Sequence, residues 1–339
     1  MIKKIKKIFK RIFQAIGIVL MLIIVAGLMF RAFGPSSHRP LGEIVQVNGL
    51  DMHIHATGEK SDQPTVIIEG GASASSDYYH WLSEGLKDSL RVVRYDRAGN
   101  GYSASSTAER DAETIAEELH ELLEKSGESP PYVLVGHSMG GPYIRVFAEL
   151  YPEEVEALVF IDSTHPQQVE RLNAAAESSF RFKTTLFLLG ASGLLADLGV
   201  LGLFENFTDP LLAGEGLPDD INQRTKDFLL NGKRTRAYKK EIESYHATLR
   251  RADEAKEFGA LPIRVFTAIA MNKKAYTENG IDPDAFLKET IAAQKEFTKL
   301  SSNGKQFLID GNHQSIFTKK ENAHKINKEI IQLIREMEQ

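Results

Sequence analysis

Tyr132–Gly141 reads YVLVGHSMGG. Four mostly apolar, β-forming residues (Tyr132, Val133, Leu134, Val135) run into Gly136-His137-Ser138-Met139-Gly140, and a helical pattern follows from Gly141. The order is strand, sharp turn, helix, with a serine at the apex. Such a turn forces the serine into sparsely populated backbone. Glycine two residues to either side removes the side chains that would collide with the neighbouring strand and helix. The hydroxyl is lifted clear of the sheet edge, at a helix N-terminus whose free N–H groups favour negative charge. That placement suits a nucleophile whose attack creates an oxyanion. Any glycine-rich loop can supply Gly-x-Ser-x-Gly, so the weight lies in the strand before it and the helix after.

The 339 residues leave room for one large domain or two ordinary ones. A hydrophobic share of 42% and a charged share of 26% are those of a globular protein. The absence of cysteine excludes a disulfide framework, thiolate metal ligation and a cysteine nucleophile, and fits any redox compartment. Net charge is −5, but residues 1–34 hold seven Lys/Arg and no Asp/Glu, so the rest carries −12. An acidic body argues against a nucleic-acid partner.

The chain begins MIKKIKKIFKR, then runs from Ile12 to Phe30 without a formal charge before Arg31. Nineteen residues at helical rise come to about 28 Å, close to a bilayer's hydrocarbon core. A signal peptide would have a shorter apolar region and a small-residue cleavage site, whereas Met29-Phe30-Arg31-Ala32-Phe33 follows here. The expectation is an uncleaved anchor over 1–34. Six Lys/Arg precede it (Lys3, Lys4, Lys6, Lys7, Lys10, Arg11) and only Arg31 follows directly. The positive-inside rule then keeps the N-terminus cytoplasmic and sends residues 35–339 to the other side of the cell membrane.

Phe33–Gly42 is a turn-rich linker, and Glu43–Val47 and Met52–Ala56 form a hairpin through Asn48-Gly49. His53 and His55 share a strand face there; two histidines at that spacing can ligate a metal, but are more often ordinary strand residues. Thr65–Ile68 reads as a buried strand leading into Glu69-Gly70-Gly71-Ala72-Ser73, whose small residues leave N–H groups uncovered. Arg91–Tyr95 is the next strand, before Asp96-Arg97-Ala98-Gly99-Asn100-Gly101-Tyr102-Ser103. That loop lacks the GxGxxG spacing and the phosphate-loop lysine of a nucleotide site. A helix over Asp111–Lys125 precedes the central strand; Val155–Ile161 is a further strand, ending at Asp162. Strands alternating with helices predict a mainly parallel sheet covered on both faces.

Gln167–Gly259 breaks the alternation. It reads as a helical insertion whose apolar section, Thr184–Phe204, carries one charge, Asp197. Glycines 190, 193, 199 and 202 predict short helices there, forming a lid whose apolar face meets a greasy substrate or lipid. Alternation resumes with the strand Leu261–Ala270, a helix near Asp284–Leu300, the strand Lys305–Ile309 leading into Asp310-Gly311-Asn312-His313, and a last helix over Lys319–Met337.

Four features in this order (Gly70-Gly71, Asp96–Ser103, the GHSMG elbow, and a late strand ending in Gly-Asn-His) resemble the α/β-hydrolase superfamily, over essentially everything after the linker. Within it the chain looks like membrane-anchored serine hydrolases of esterase type. The resemblance implies an α/β fold with an eight-stranded sheet, a helical cap after the sixth strand at about 167–259, and no metal or organic cofactor. It makes Ser138 the nucleophile and His313 the general base, carried to the same sheet edge by the last strand. The acid is open. The seventh strand, a common place for it, ends without a carboxylate; Asp162 closes the sixth strand, and Asp282 and Asp284 lie further on. The oxyanion donors implied are the N–H of Met139 and that of Gly71 or Ala72, while Asp96 and Arg97 brace the sheet edge. The expected reaction is ester hydrolysis on a small, apolar substrate through an acyl-enzyme. Amide, peptide or thioester cleavage by the same groups is the enzymatic rival, and a non-catalytic tethered binding protein the other. Serine at the elbow disfavours dehalogenase and epoxide hydrolase chemistry, which uses aspartate there.

Overall fold

The computed structural model describes residues 2–33, 38–172, 175–204, 214–229 and 231–338. Part of the expected linker, residues 34–37, lies outside these, as does 205–213 in the insertion. Eight strands form one sheet: β1 (Glu43–Val47), β2 (Leu50–Thr57), β3 (Thr65–Glu69), β4 (Val92–Tyr95), β5 (Tyr132–His137), β6 (Val155–Ile161), β7 (Ile263–Ala268) and β8 (Gly304–Ile309). Their spatial order is β1-β2-β4-β3-β5-β6-β7-β8. The β1–β2 and β2–β4 pairs are antiparallel, and every later pair is parallel.

The helices are α1 (Ile2–Phe33), α2 (His80–Leu86), α3 (Ala112–Lys125), α4 (Gly140–Leu150), α5 (Gln168–Arg171), α6 (Phe180–Asp197), α7 (Asp219–Leu229), α8 (Gly232–Glu243), α9 (Tyr245–Glu254), α10 (Lys273–Glu278), α11 (Pro283–Glu296), α12 (Ser315–Thr318) and α13 (Lys320–Met337).

The central strands are continuous apolar runs because each buries both faces. Along β5, Tyr132 and Leu134 point into one core and Val133 and Val135 into the other. Along β6, Leu158 and Phe160 join the first core, while Ala157, Val159 and Ile161 join the second. Helix α3 closes the first core with Ile115, Leu119, Leu122 and Leu123, and α4 adds Ile144 and Phe147. On the other face α13 contributes Ile326, Ile330, Leu333 and Ile334. Full burial of each such side chain is worth about 1.5–3 kcal/mol, so the two-sided core fixes the strand ends against one another. The site depends on that rigidity.

The insertion runs between β6 and β7 and differs in one respect from expectation. Residues 180–197 form a single 18-residue helix instead of short pieces. Glycine inside a helix costs about 1 kcal/mol relative to alanine, but Gly193 is buried and faces Thr235 of α8. Close helix–helix contact offsets the loss. N-terminal to the sheet, α1 is almost wholly exposed, and it is the one described helix long and apolar enough to cross a membrane.

Candidate active site

The elbow is held by glycines at close backbone approaches. A side chain on Gly136 would collide with the Gly140 carbonyl, one on Gly140 with the Glu69 carbonyl at the end of β3, and one on Gly141 with Ser163. The Ser138 carbonyl accepts from Gly141 N (3.0 Å) and Thr164 N (2.9 Å). These constraints hold Ser138 at φ +53°, a left-handed conformation that costs a non-glycine residue on the order of 1–3 kcal/mol. Four non-glycine residues among those described have positive φ: Asn48, Ser73, Ser138 and Asp162. Three of them cluster where the ends of β3, β5 and β6 meet, so the strain is concentrated at one sheet edge.

His313 follows β8 in a loop pinned by Asn312, whose Oδ1 accepts from Gln314 N and Ser315 N. Its Nδ1 lies 2.6 Å from Asp162 Oδ2. The other carboxylate oxygen, Asp162 Oδ1, accepts from Ala268 N at 3.1 Å. The seventh strand thus supplies an amide that orients a carboxylate carried by the sixth. Asp282 and Asp284 are engaged elsewhere. Asp282 caps α11, accepting from Asp284 N and Ala285 N, and Asp284 pairs with Lys273 in solvent.

With Nδ1 committed to Asp162, the His313 nitrogen left for proton transfer is Nε2. His313 is placed beside the elbow by a residue that sequence reasoning passed over. The ring of His137, directly before Ser138, lies tilted 4.6 Å from the His313 ring, and its Nε2–H donates to the His313 carbonyl at 3.0 Å. On the other side of the ring, Tyr79 Oη donates to His137 Nδ1 at 3.0 Å. The same phenol oxygen accepts the Gly71 N–H at 2.7 Å. Burial, and secondarily the nearby His313, hold the His137 imidazole well below its usual pKa, so it is neutral, with its proton on Nε2. A relay of hydrogen bonds therefore ties the first loop, the elbow and the His313 loop together. His137 sits inside the quoted motif, but nothing in sequence spacing announces a phenol from α2's approach as its partner.

That relay also separates the two candidate oxyanion donors. Gly71 N–H is occupied by Tyr79, whereas neither Ala72 N–H nor Met139 N–H has an acceptor among the described residues. Gly71 keeps a steric role: a Cβ there would come 2.9 Å from His137 Nδ1 and 3.1 Å from Ser138 Cβ. The loop itself is anchored by Arg97, which donates to the Gly70 and Gly71 carbonyls at 2.7 and 2.6 Å and pairs with buried Glu69 and Glu241. Glu241, on α8 of the insertion, also accepts from Ser73 N. Arg234 of the same helix reaches the Ser73 carbonyl and hydroxyl. Asp96 does brace the sheet edge, accepting from Ser76 N, Tyr102 N and His53, but Arg97 acts on the loop that carries the amides. His53 is buried on Asp96, and His55 is bonded to Arg94. Among the described residues no cluster of His, Asp and Glu has metal-site geometry.

The comparisons with known proteins agree with this architecture. Residues 64–198 match the family model described as alpha/beta hydrolase fold. Among curated relatives, the chain is similar to the uncharacterized protein YbdG of Bacillus subtilis, 29% identical over 170 residues, covering 49% of this chain and 52% of that one. It is 29% identical to the bifunctional esterase/perhydrolase DCH of Acinetobacter calcoaceticus, covering 38% of this chain and 47% of that one. It is also 28% identical to mouse epoxide hydrolase 4, over 36% of this chain and 34% of that one. The match thus spans about half or less of the length of these relatives. The solved enol-lactonase of Burkholderia xenovorans superposes with a TM-score of 0.60 over 86% of this chain and 99% of its own, at 15% identity, which speaks to the fold alone. The chain thus has the α/β-hydrolase fold, and residues 64–198 match the family model of that fold.

Proposed function

We propose that the chain is a serine hydrolase of carboxylic esters with an apolar acyl or alcohol part. The observation that carries the reading is the 2.6 Å pairing of His313 with Asp162 at the sheet edge where Ser138 stands on its strained turn. A serine hydroxyl is a poor nucleophile until an imidazole accepts its proton. Asp162, oriented by the Ala268 amide, holds His313 in the tautomer with Nε2 unprotonated and stabilises the imidazolium that forms. Ser138 Oγ attacks the ester carbonyl, and its proton passes to His313 Nε2. The tetrahedral oxyanion is held by the N–H groups of Met139 and Ala72, at the start of α4 where the helix dipole favours negative charge. His313 then gives its proton to the departing alcohol. Water, deprotonated by His313, releases the acid from the acyl-enzyme. Every step uses groups of this chain, without a metal or organic cofactor.

The esterase relative favours this reading over amide cleavage. The epoxide hydrolase relative shows that the fold alone leaves the reaction open. Helix α1 is read as an uncleaved anchor, N-terminus in the cytoplasm and the hydrolase body outside. The test uses the full chain in detergent or vesicles with p-nitrophenyl esters of increasing chain length. Ser138→Ala should lower kcat roughly 10⁴- to 10⁶-fold and abolish labelling by a fluorophosphonate, with the unfolding transition unchanged. Labelling or turnover that persists in that variant refutes the assignment.

A further inference from the structure

The insertion helix α6 has apolar residues on all sides, and only one side has a neighbour. Phe182, Gly193 and Ala196 are buried, Gly193 meeting Thr235 of α8 and Phe182 meeting His246 of α9. The opposite side presents Phe180, Phe187, Leu188, Leu194 and Leu195, which are 85%, 73%, 58%, 61% and 41% exposed. At 100° per residue these five, with Ala191 and the half-buried Thr184, occupy a single arc of about 120°. Lys183 and Arg181 border that arc on its two sides. An apolar face edged by basic residues is the pattern of a helix lying in a lipid–water interface.

A second and independent observation fixes where this face lies. The segment following α6, Leu198–Leu203, is LGVLGL and packs against the C-terminal end of α1. Gly27 of α1 and Gly199 approach backbone to backbone, so that a Cβ on either would collide with the other segment. Gly202 sits against the Phe30 ring. One turn above, Arg31 donates to the Asp197 carbonyl, and Asp197 pairs with Arg236. Charges therefore cluster at the level where the apolar stretch of α1 ends, and the contact with the insertion continues below them. Gly27 lies about 6 Å deeper than Arg31 along the helix, within the roughly 5–10 Å to which interfacial helices sink.

We infer that α6 and the Leu198–Leu203 segment are docked in the bilayer leaflet from which α1 emerges, the occupant of the exposed face being lipid. The inference rests on α1 as a membrane anchor and not on the serine chemistry. Continuity with α1 selects lipid over a second copy of the chain: the exposed arc ends one turn before residues already touching a helix of membrane-spanning length. The basic edges suit anionic headgroups. In this arrangement the insertion, which also clamps the first loop through Glu241 and Arg234, is held at the membrane surface at one end and at the active site at the other.

Because the chain contains no cysteine, single labels report cleanly. Phe187→Cys, Leu195→Cys, Leu20→Cys on α1 and Lys274→Cys on exposed α10 would each be made in the full chain. They would carry an environment-sensitive fluorophore in vesicles of phosphatidylcholine with a minority of phosphatidylglycerol. Labels at 187 and 195 should emit blue-shifted, be quenched by spin-labelled lipid and be shielded from aqueous iodide, as at 20 and opposite to 274. Aqueous behaviour at 187 and 195 with lipid behaviour at 20 overturns the docking while leaving the anchor. Aqueous behaviour at all three overturns both. Energy transfer between labelled copies at 187, without lipid quenching, assigns the face to a second copy and likewise overturns the inference. Fluorophosphonate labelling of Ser138 is read separately, so loss of the hydrolase assignment does not mimic any of these results.

Discussion

Asp162 shows how one residue's environment can select a role that its type leaves open. Its backbone is left-handed at φ +41°, its Oδ1 accepts from Ala268 N and its Oδ2 pairs with His313. Asp282 and Asp284 carry the same carboxylate but are spent on a helix cap and a surface ion pair. If Asp162 orients His313, Asp162→Asn should lower kcat by on the order of 10⁴, because the amide favours the wrong imidazole tautomer. Asp282→Asn and Asp284→Asn should stay within a few-fold of the parent. Ester turnover and fluorophosphonate labelling rates for the three variants decide the matter, and equal effects would remove Asp162 from the site. The sequence put Asp162 ahead of Asp282 and Asp284 by its place at the end of the sixth strand, but did not show what orients it. That orientation comes from the seventh strand's amide, over a hundred residues away.

At the scale of elements, the elbow works because α4 begins almost in contact with the end of β3. The clash expected at Gly140 is with the Glu69 carbonyl, part of a rigid strand end. Gly140→Ala should therefore cost roughly 1–3 kcal/mol, the usual range for overpacking, and slow labelling of Ser138 by displacing the Met139 amide. Gly190 in α6 is the contrasting case, with only the flexible Lys239 side chain near, at 3.8 Å. Gly190→Ala should raise stability by about 0.4–1 kcal/mol through the entropy of the unfolded chain. Urea denaturation of both variants tests the pair, and destabilisation by the second would show α6 strained or differently packed. The strand–turn–helix order was legible from residue types alone. The unbroken length of α6 was not, since helix–helix contact overrode glycine's local preference.

Taken as a whole, the molecule buries several histidines in their neutral form. Burial, then Arg94, lowers His55 to about 4. Burial, then Arg171, lowers His165 to about 4, and His137 is depressed as well. Unfolded, each would bind a proton below about 6.5. Between pH 6.5 and 4 the unfolded chain thus holds more protons than the folded one, and stability falls as pH falls through that window. His53 acts in the opposite sense. Burial lowers its pKa, but the bonded Asp96 raises it further, for a net rise; its contribution is full below 6.5 and is lost as pH rises through the folded value. His80 and His246 are lowered by burial too, so five histidines against one predict a net decline on acidification, opposed in part by Glu69 and Asp77, whose carboxyl pKa burial raises. The unfolding midpoint in urea, followed from pH 8 to 4.5, should drop, and His165→Gln should make the slope shallower. A flat profile would mean that these rings are hydrated in solution.

The sheet, its two-sided core, the serine on the bend and the long apolar N-terminal helix were legible along the chain, because each is written in local periodicity and in glycine placed beside the bend. Tertiary structure decided what depends on partners distant in the chain. It set the carboxylate beside His313, left Ala72 and not Gly71 with a free amide, enlisted Tyr79 and His137 as a relay, and seated the segment after α6 against α1. These follow from which strand ends and loops meet once the cores close, and such contacts leave no period or spacing in the chain itself.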